Sequence, residues 1–254
     1  MLECQLATRK KLTMSKNLHS SQAFPRPLTT VDVVIFTVID DQLHVLLVKR
    51  PTGDSEPYPG MWALPGGYVD IERDKDLEAC ALHKLKEKTG VVSPYLEQLG
   101  SWGNARRDPR GWTATHVYFA ILPYESVELH SGSHATDIDW FQLKDDGVGH
   151  ELAFDHSTIL ATAIARLRGK AEYTSLPAYL LPDTFTLSEL QHVFSVVLGR
   201  PVDKSGFRTR VLSANLVEEA DGVRSGYSRP AQLYRLKTPQ NPTYFPRTFN
   251  PRKD

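Results

Sequence analysis

The chain has 254 residues, room for one large domain or two small ones at about 100–200 residues each. Hydrophobic residues make up 41% and charged residues 24%, a globular balance that excludes a collagen, a coiled coil or wholesale disorder. No run approaches the roughly 20 apolar residues of a membrane helix, Cys4 and Cys80 supply neither a disulfide framework nor a metal ligand set, and 30 basic residues cancel 30 acidic ones.

That cancellation hides an asymmetry. Residues 199–254 hold 11 Lys and Arg against 5 acids, so a basic end sits on an acidic body. This points to nucleic acid, with a solvated tail as the plainer alternative.

Residues 1–27 are polar, basic at Arg9, Lys10 and Lys11, and carry no apolar leader core. They are read as a mobile arm, and the cytoplasm as the compartment. The segment Val31–Val48 is apolar on both sides of Asp40 and Asp41, which predicts a hairpin of two long strands. Pro51–Gly60 is a loop. Leu77, Cys80, Ala81, Leu82 and Leu85 recur at helical spacing and predict a helix over Leu77–Thr89, with Gly90 placed as its C-terminal cap. Leu96–Trp102, Ala114–Leu122 and Ile138–Leu143 read as strands, and Ser157–Leu167 as a second helix.

The character changes near residues 149–152. Thr186–Leu198 is amphipathic and opens with a capping box formed by Thr186 and Glu189. After the short turn Gly199–Val202, a further helix spans Asp203–Ala214 with Asp203 as its cap. Leu216–Glu218 and Ala231–Leu236 then bracket a Gly-containing connection, Asp221–Arg229, and the tail after Pro239 is irregular. Helix, turn, helix, hairpin is the order of a winged helix-turn-helix. On the second helix Phe207, Val211 and Leu212 form a face toward the first, while Lys204, Ser205, Arg208 and Thr209 lie on another, with Arg210 beside them. Such a division suits a recognition helix meeting phosphates and base edges. Arg224, Tyr227 and Arg229 lie where a wing would meet the DNA backbone. The alternative is a small helical module that binds protein.

Two constellations in the first part carry chemistry. The segment Leu64-Pro-Gly-Gly-Tyr-Val-Asp70, with the helix running to Leu85-Lys-Glu-Lys-Thr-Gly-Val91, resembles the Nudix box: a Gly-Gly loop (Gly66, Gly67) followed by an acidic helix. Nudix hydrolases cleave nucleoside diphosphates linked to another group, using Mg²⁺. Three helical carboxylates at i, i+3 and i+4 share one face and hold the cation. This chain departs from that pattern. The Arg position is His83, the first carboxylate is Lys84, the second survives as Glu87, and the third is Lys88. The loop is also two residues longer than the hydrolase spacing. Cations at two of three ligand positions repel a metal, so neither metal nor catalysis is expected. A shifted cluster of Glu72, Asp74, Asp76, Glu78 and Glu87 is the alternative. Lys84 and Lys88 are either solvated helix charges or direct partners of a diphosphate.

The second constellation is Trp102-Gly-Asn-Ala-Arg-Arg-Asp-Pro-Arg-Gly-Trp112. Arg106, Arg107 and Arg110 surround a turn at Asp108 and Pro109, and Arg forks suit phosphate oxygens. The tryptophans either stack on a base or anchor the loop. The Arg-Asp-Pro-Arg-Gly-Trp run resembles the ADP-ribose class of Nudix proteins. Arg50 is a further phosphate candidate, and Phe154-Asp-His156 marks the junction of the two parts.

Taken with Lys204-Ser-Gly-Phe-Arg208 and Arg229-Pro-Ala-Gln-Leu-Tyr234, these motifs resemble NrtR, the Nudix-related regulators of bacterial NAD metabolism, over about residues 28–238. The resemblance implies an α/β (α+β) fold: a Nudix αβα sandwich at 28–150 and a winged helix-turn-helix at 151–238, flanked by the arm (1–27) and tail (239–254). It further implies a homodimeric repressor of NAD-synthesis genes on palindromic operator DNA, with ADP-ribose as effector and no required cofactor. The ADP-ribose site would comprise Arg50, Gly66, Gly67, Lys84, Glu87, Trp102, Arg107, Asp108, Arg110 and His156. The alternative is an active Mg²⁺-dependent ADP-ribose pyrophosphatase with an accessory interaction domain.

Overall fold

The computed structural model describes residues 26–92, 95–130, 135–225 and 230–245. The predicted arm therefore lies outside the described residues up to position 25, as do Tyr227, Arg229 and the end of the tail. Among the described residues no helix is long and apolar enough to cross a membrane.

Strands β1 (Leu28–Ile39) and β2 (Gln42–Lys49) form the predicted hairpin. Ile39 faces Gln42 across a two-residue turn in which Asp40 (φ 47°) and Asp41 (φ 62°) are both left-handed. Acidic residues tolerate that conformation, and it matches the twist of the flanking strands. The short strand β3 (Trp62–Ala63) just precedes the Gly-Gly motif and β4 (Gly66–Tyr68) lies within it, β3 pairing with β2 and β4 with β1. Strands β5 (Tyr95–Asn104) and β6 (Thr113–Ile121) form a second hairpin, and β6 runs parallel to β1. Strand β7 (Asp137–Gln142) adds to the other side of β2.

Helix α1 (Leu77–Thr89) has the predicted ends. The Asp76 carboxylate accepts from the Ala79 amide, and Gly90 closes the helix at φ 72°. Alternation along β1 divides the sheet into two faces. Val31, Val33 and Ile35 pack with Cys80, Ala81 and Leu85 of α1. Val34 and Phe36 pack on the opposite side with Ile159, Leu160, Ala163, Ile164 and Leu167 of α2 (His156–Ala171). A mixed sheet between two helical layers is the expected αβα sandwich.

The C-terminal module holds α3 (Leu187–Leu198), α4 (Lys204–Ser213) and a small sheet of β8 (Phe185–Thr186), β10 (Ala231–Leu236) and β9 (Val217–Arg224), in that order. The capping box is present, with Thr186 and Glu189 exchanging side-chain and backbone bonds. Phe194 of α3 meets Phe207 of α4 with ring centroids 5.0 Å apart. Phe207 and Val211 are buried as expected, but Leu212 is exposed, because the turn of the helix carries it round from the i, i+4 stripe. Strand β9 also runs farther than predicted, to Arg224. A bulge opposite Leu233, between the pairs Gln232–Val223 and Tyr234–Glu219, absorbs the Gly222 region, and the Gln232 amide holds it by donating to the Ala220 carbonyl. The described tail is irregular but not loose: Phe245 is buried, and its amide donates to the Tyr173 carbonyl.

Helix α2 belongs to both parts. The core that α2 shares with the sheet continues through Leu190, Val193 and Val197 to Phe207 and Val211. Glu97 on β5 grips α2 from the side, accepting from Arg166 at 3.0 Å and from Lys170 and Tyr95.

Candidate functional site

A cavity of about 390 Å³ opens where the Gly-Gly loop, α1, the Arg-rich loop and the start of α2 converge. Its floor is set by strand register. Asp32 has the parity of Val34 and Phe36, so it points to the α2 side of β1. It is a buried carboxylate that accepts from the Thr115 hydroxyl at 2.7 Å. Gly66 pairs directly with Asp32, and a Cβ there would lie 2.0 Å from the Asp32 carboxylate. Only glycine permits that approach.

His156, the first residue of α2, is buried beside Asp32. Its Nδ1 accepts from the Leu64 amide at 2.9 Å, so the other nitrogen carries the proton, 3.7 Å from Asp32. Burial pulls the imidazole pKa down despite the nearby carboxylates, which keeps the ring neutral. Its geometric role is to tie the Gly-Gly loop to α2.

Cations dominate the walls. Arg50, Lys84, Lys88, Arg107 and Arg110 all line the cavity. Arg50 bonds Glu56 at 2.9 Å, and Arg110 forks onto Asp108 at 2.7 and 3.0 Å. Burial alone would raise the Asp108 pKa, but the Arg110 bonds hold it below the usual carboxylate range. Arg107 is buried and forks onto Asp155 at 2.8 and 3.0 Å. Among the described residues no carboxylate stands within ion-pair distance of Lys84, and its amine lies 3.5 Å from where a Cβ on Gly67 would sit.

The carboxylate face expected of a Nudix box does not fit a divalent cation here. Two amines project where ligands would stand, and Glu87 bonds Lys88 at 3.1 Å without lining the cavity. Burial would raise the Glu87 pKa, but Lys88 and Lys84 hold it low. The alternative acidic cluster does not assemble either: Asp76 caps α1, and Asp74 accepts from His83 and from the Asp70 amide. Among the described residues no three His, Cys, Asp or Glu side chains gather as a metal site.

Eight of the ten residues expected to hold ligand thus line the cavity. Glu87 does not, and neither does Trp102, whose ring packs on the main core and takes the anchoring role. Thr30, Asp32, Glu56, Tyr68 and Phe154 also line it. Asp32 carried a legible signal, a lone carboxylate in an apolar strand. On the other module Lys204, Ser205, Arg208 and Thr209 are exposed along α4. Arg210 is turned away from that row: its guanidinium lies 4.4 Å from the Phe245 ring centroid and donates to the Glu172 carbonyl at 2.7 Å. Arg224 bonds the Thr184 carbonyl and pairs with Glu189, fixing the hairpin to the start of α3.

Two family models match the chain: the NUDIX domain over residues 28–162, and the NrtR DNA-binding winged helix domain over residues 177–236. The chain is 43% identical over 245 residues to a protein of Acinetobacter baylyi named ADPR responsive transcriptional repressor NtrR. That match covers 93% of this chain and 96% of the relative. The crystal structure of Shewanella oneidensis NrtR complexed with a 27mer DNA is similar at a TM-score of 0.75 and 44% identity, over 82% of this chain and 93% of that one. The Nudix domain of the same protein complexed with ADP ribose matches at a TM-score of 0.52 and 43% identity, over 59% of this chain and 94% of that one.

Proposed function

This chain belongs to the NrtR family, which joins a Nudix domain to a DNA-binding winged helix, and from that premise we propose that it is an ADP-ribose-responsive transcriptional repressor. The observation that carries the reading is the cavity wall. Lys84 and Lys88 stand where a hydrolase would hold metal, so ADP-ribose is bound without a divalent cation and is not cleaved. Its diphosphate meets Lys84, Arg50, Arg107 and Arg110, ordered by Asp108. The Gly66–Gly67 loop gives the ligand a close backbone approach, and His156 holds that loop in place.

The sensor occupies residues 28–150 and the DNA-binding unit residues 151–238, with α2 packed on both. Lys204, Ser205, Arg208 and Thr209 meet the major groove, and Arg224, Tyr227 and Arg229 meet the backbone through the wing. Arg210 supports α4 from behind. The chain acts as a homodimer, presenting two recognition helices to half-sites about one helical turn, roughly 34–36 Å, or a multiple apart. Its operators are palindromic and lie before genes of NAD synthesis, as the family resemblance implies.

The test is a gel shift on promoter fragments of the host's NAD-synthesis genes, titrated with ADP-ribose in EDTA. A specific shift that ADP-ribose alters at the same concentration with and without Mg²⁺ supports the reading. Release of AMP from ADP-ribose on adding Mg²⁺ would make the chain a hydrolase instead. No shift on any fragment at moderate salt would overturn the assignment to these genes.

A further inference from the structure

Three arginines of the cavity are each neutralised by a carboxylate, and the buried Lys88 is bonded to Glu87. In three of these four pairs the carboxylate is local: Glu56 is six residues from Arg50, Asp108 two from Arg110, and Glu87 one from Lys88. The fourth pair spans 48 residues, from Arg107 in the Arg-rich loop to Asp155 at the start of α2. An anion that draws on Arg110 disturbs a pair within its own loop, and one that draws on Arg50 also meets the Phe154 ring on which that arginine packs. One that draws on Arg107 reaches the helix shared with the DNA-binding module.

The start of α2 has an alternative use for Asp155. Aspartate at an N-cap ordinarily accepts from first-turn amides. Here Asp155 holds that position with no side-chain cap bond, because both its oxygens are taken by Arg107. The residue before it, Phe154, is left-handed at φ 58°, a strained conformation for an aromatic residue. Its ring is clamped between Tyr58 (4.7 Å), Arg50 (4.9 Å) and His156 (5.2 Å). At the far end of α2, Glu172 receives Arg200 on its carboxylate at 2.8 Å and Arg210 of α4 on its carbonyl.

We infer that the Arg107–Asp155 pair is the latch through which the cavity addresses the winged helix. A diphosphate offers Arg107 a second bidentate acceptor. When Arg107 turns to it, the Asp155 carboxylate moves to the first-turn amides of α2, Phe154 is released, and α2 re-seats with α4 attached to its far end. Asp155 is a positioning residue and touches no ligand. This inference rests on the ADP-ribose reading above and names how that site is heard.

The experiment uses the full chain and a DNA duplex selected by it from a random pool. Calorimetry gives the ADP-ribose affinity, and fluorescence anisotropy gives the DNA affinity with and without saturating ADP-ribose. The wild type is expected to show a DNA affinity ratio of roughly 5–150-fold, the usual range of allosteric coupling. Asp155→Asn is expected to bind ADP-ribose at least as well as wild type, since the carboxylate bonded to Arg107 is gone and only the more distant Asp32, at 3.9 Å, still faces it, while the ratio falls to about 2-fold or less. Asp155→Glu keeps the carboxylate and restores the ratio. Hydrogen exchange on the wild type supplies a readout that does not depend on a variant folding: ADP-ribose slows exchange at the first turn of α2. An Asp155→Asn protein with the wild-type ratio, or unchanged exchange at that turn, overturns the latch while leaving the repressor reading intact. A wild type that binds no ADP-ribose overturns both.

Discussion

The tightest geometric commitment in the cavity is at Gly66, and replacing it with alanine tests the site's construction. The added Cβ would stand 2.0 Å from the Asp32 carboxylate oxygen and 2.7 Å from the Val31 carbonyl. Neither neighbour can yield. Asp32 is held by Thr115 and hemmed in by His156 and Arg107, at 3.7 and 3.9 Å. Val31 lies in the parallel ladder of β1 with β6. Strand β4 must therefore lift by about 1 Å to reach even a 3.0 Å contact. Overpacking of this kind typically costs about 1–3 kcal/mol. At roughly 2–4 °C per kcal/mol for a chain of this size, the melting temperature falls by about 2–12 °C. The same lift carries the Gly67 backbone away from ligand. Losing one hydrogen bond, about 0.5–1.5 kcal/mol, weakens ADP-ribose by up to about tenfold. Scanning calorimetry and titration calorimetry measure the two effects. A Gly66→Ala protein that melts and binds like wild type would refute the claim that β4 is seated against Asp32.

The DNA face and the acid response are testable separately. Arg208→Ala removes an exposed cation of α4 and should weaken operator binding by roughly 1–3 kcal/mol if it reads a base, measured by anisotropy at fixed salt; normal binding would mean α4 is turned the wrong way. Glu97 carries a pH signature. Burial pushes its carboxyl pKa up, but the bonds from Lys170, Tyr95 and Arg166 more than reverse this and hold it below the ordinary 4.5. A depressed folded value means that its stabilisation is complete above about pH 4.5 and is lost as pH falls through the folded value. Melting between pH 5 and 3 should therefore decline less steeply in Glu97→Gln than in wild type, and parallel curves would count against the Glu97 grip on α2.

What the chain announced was local. Helix α1 was readable to its last residue because its apolar spacing starts at Leu77 and Gly90 is a short-range cap, and α3 because Thr186 and Glu189 are three positions apart. The β1–β2 hairpin followed from a pair of acidic turn residues between apolar runs. What stayed hidden depends on distant partners. The parallel pairing of β1 with β6 brings Leu28 opposite Thr113, and no periodicity reports it. Strands β3 and β4 are two and three residues long, too short for any period, and exist because β2 and β1 offer them edges. Arg107 and Arg110 look equivalent in sequence, yet one is buried against α2 and the other fans over Tyr68. Likewise Arg210 reads as one more cation of a basic helix until Phe245 and Glu172 claim it.

The continuity of the core bears on how ligand can reach DNA. Joined domains ordinarily meet through modest, rather polar interfaces and move freely. Here one apolar cluster runs from Val34 and Phe36 of the sheet, through Ile159, Leu160 and Ile164 of α2, to Phe194 and Phe207 of the winged helix. Close-packed interiors of this kind do not deform continuously; they pass between discrete packings. A ligand in the cavity therefore cannot act by loosening a tether. It must favour one seating of α2 over another, and by no more than its difference in affinity for the two. A coupling of about 1–3 kcal/mol is small beside the free energy of that shared core. It is comparable to that of a single charge-assisted hydrogen bond, about 1.5–3 kcal/mol, which is the scale of the contacts between Arg107 and Asp155.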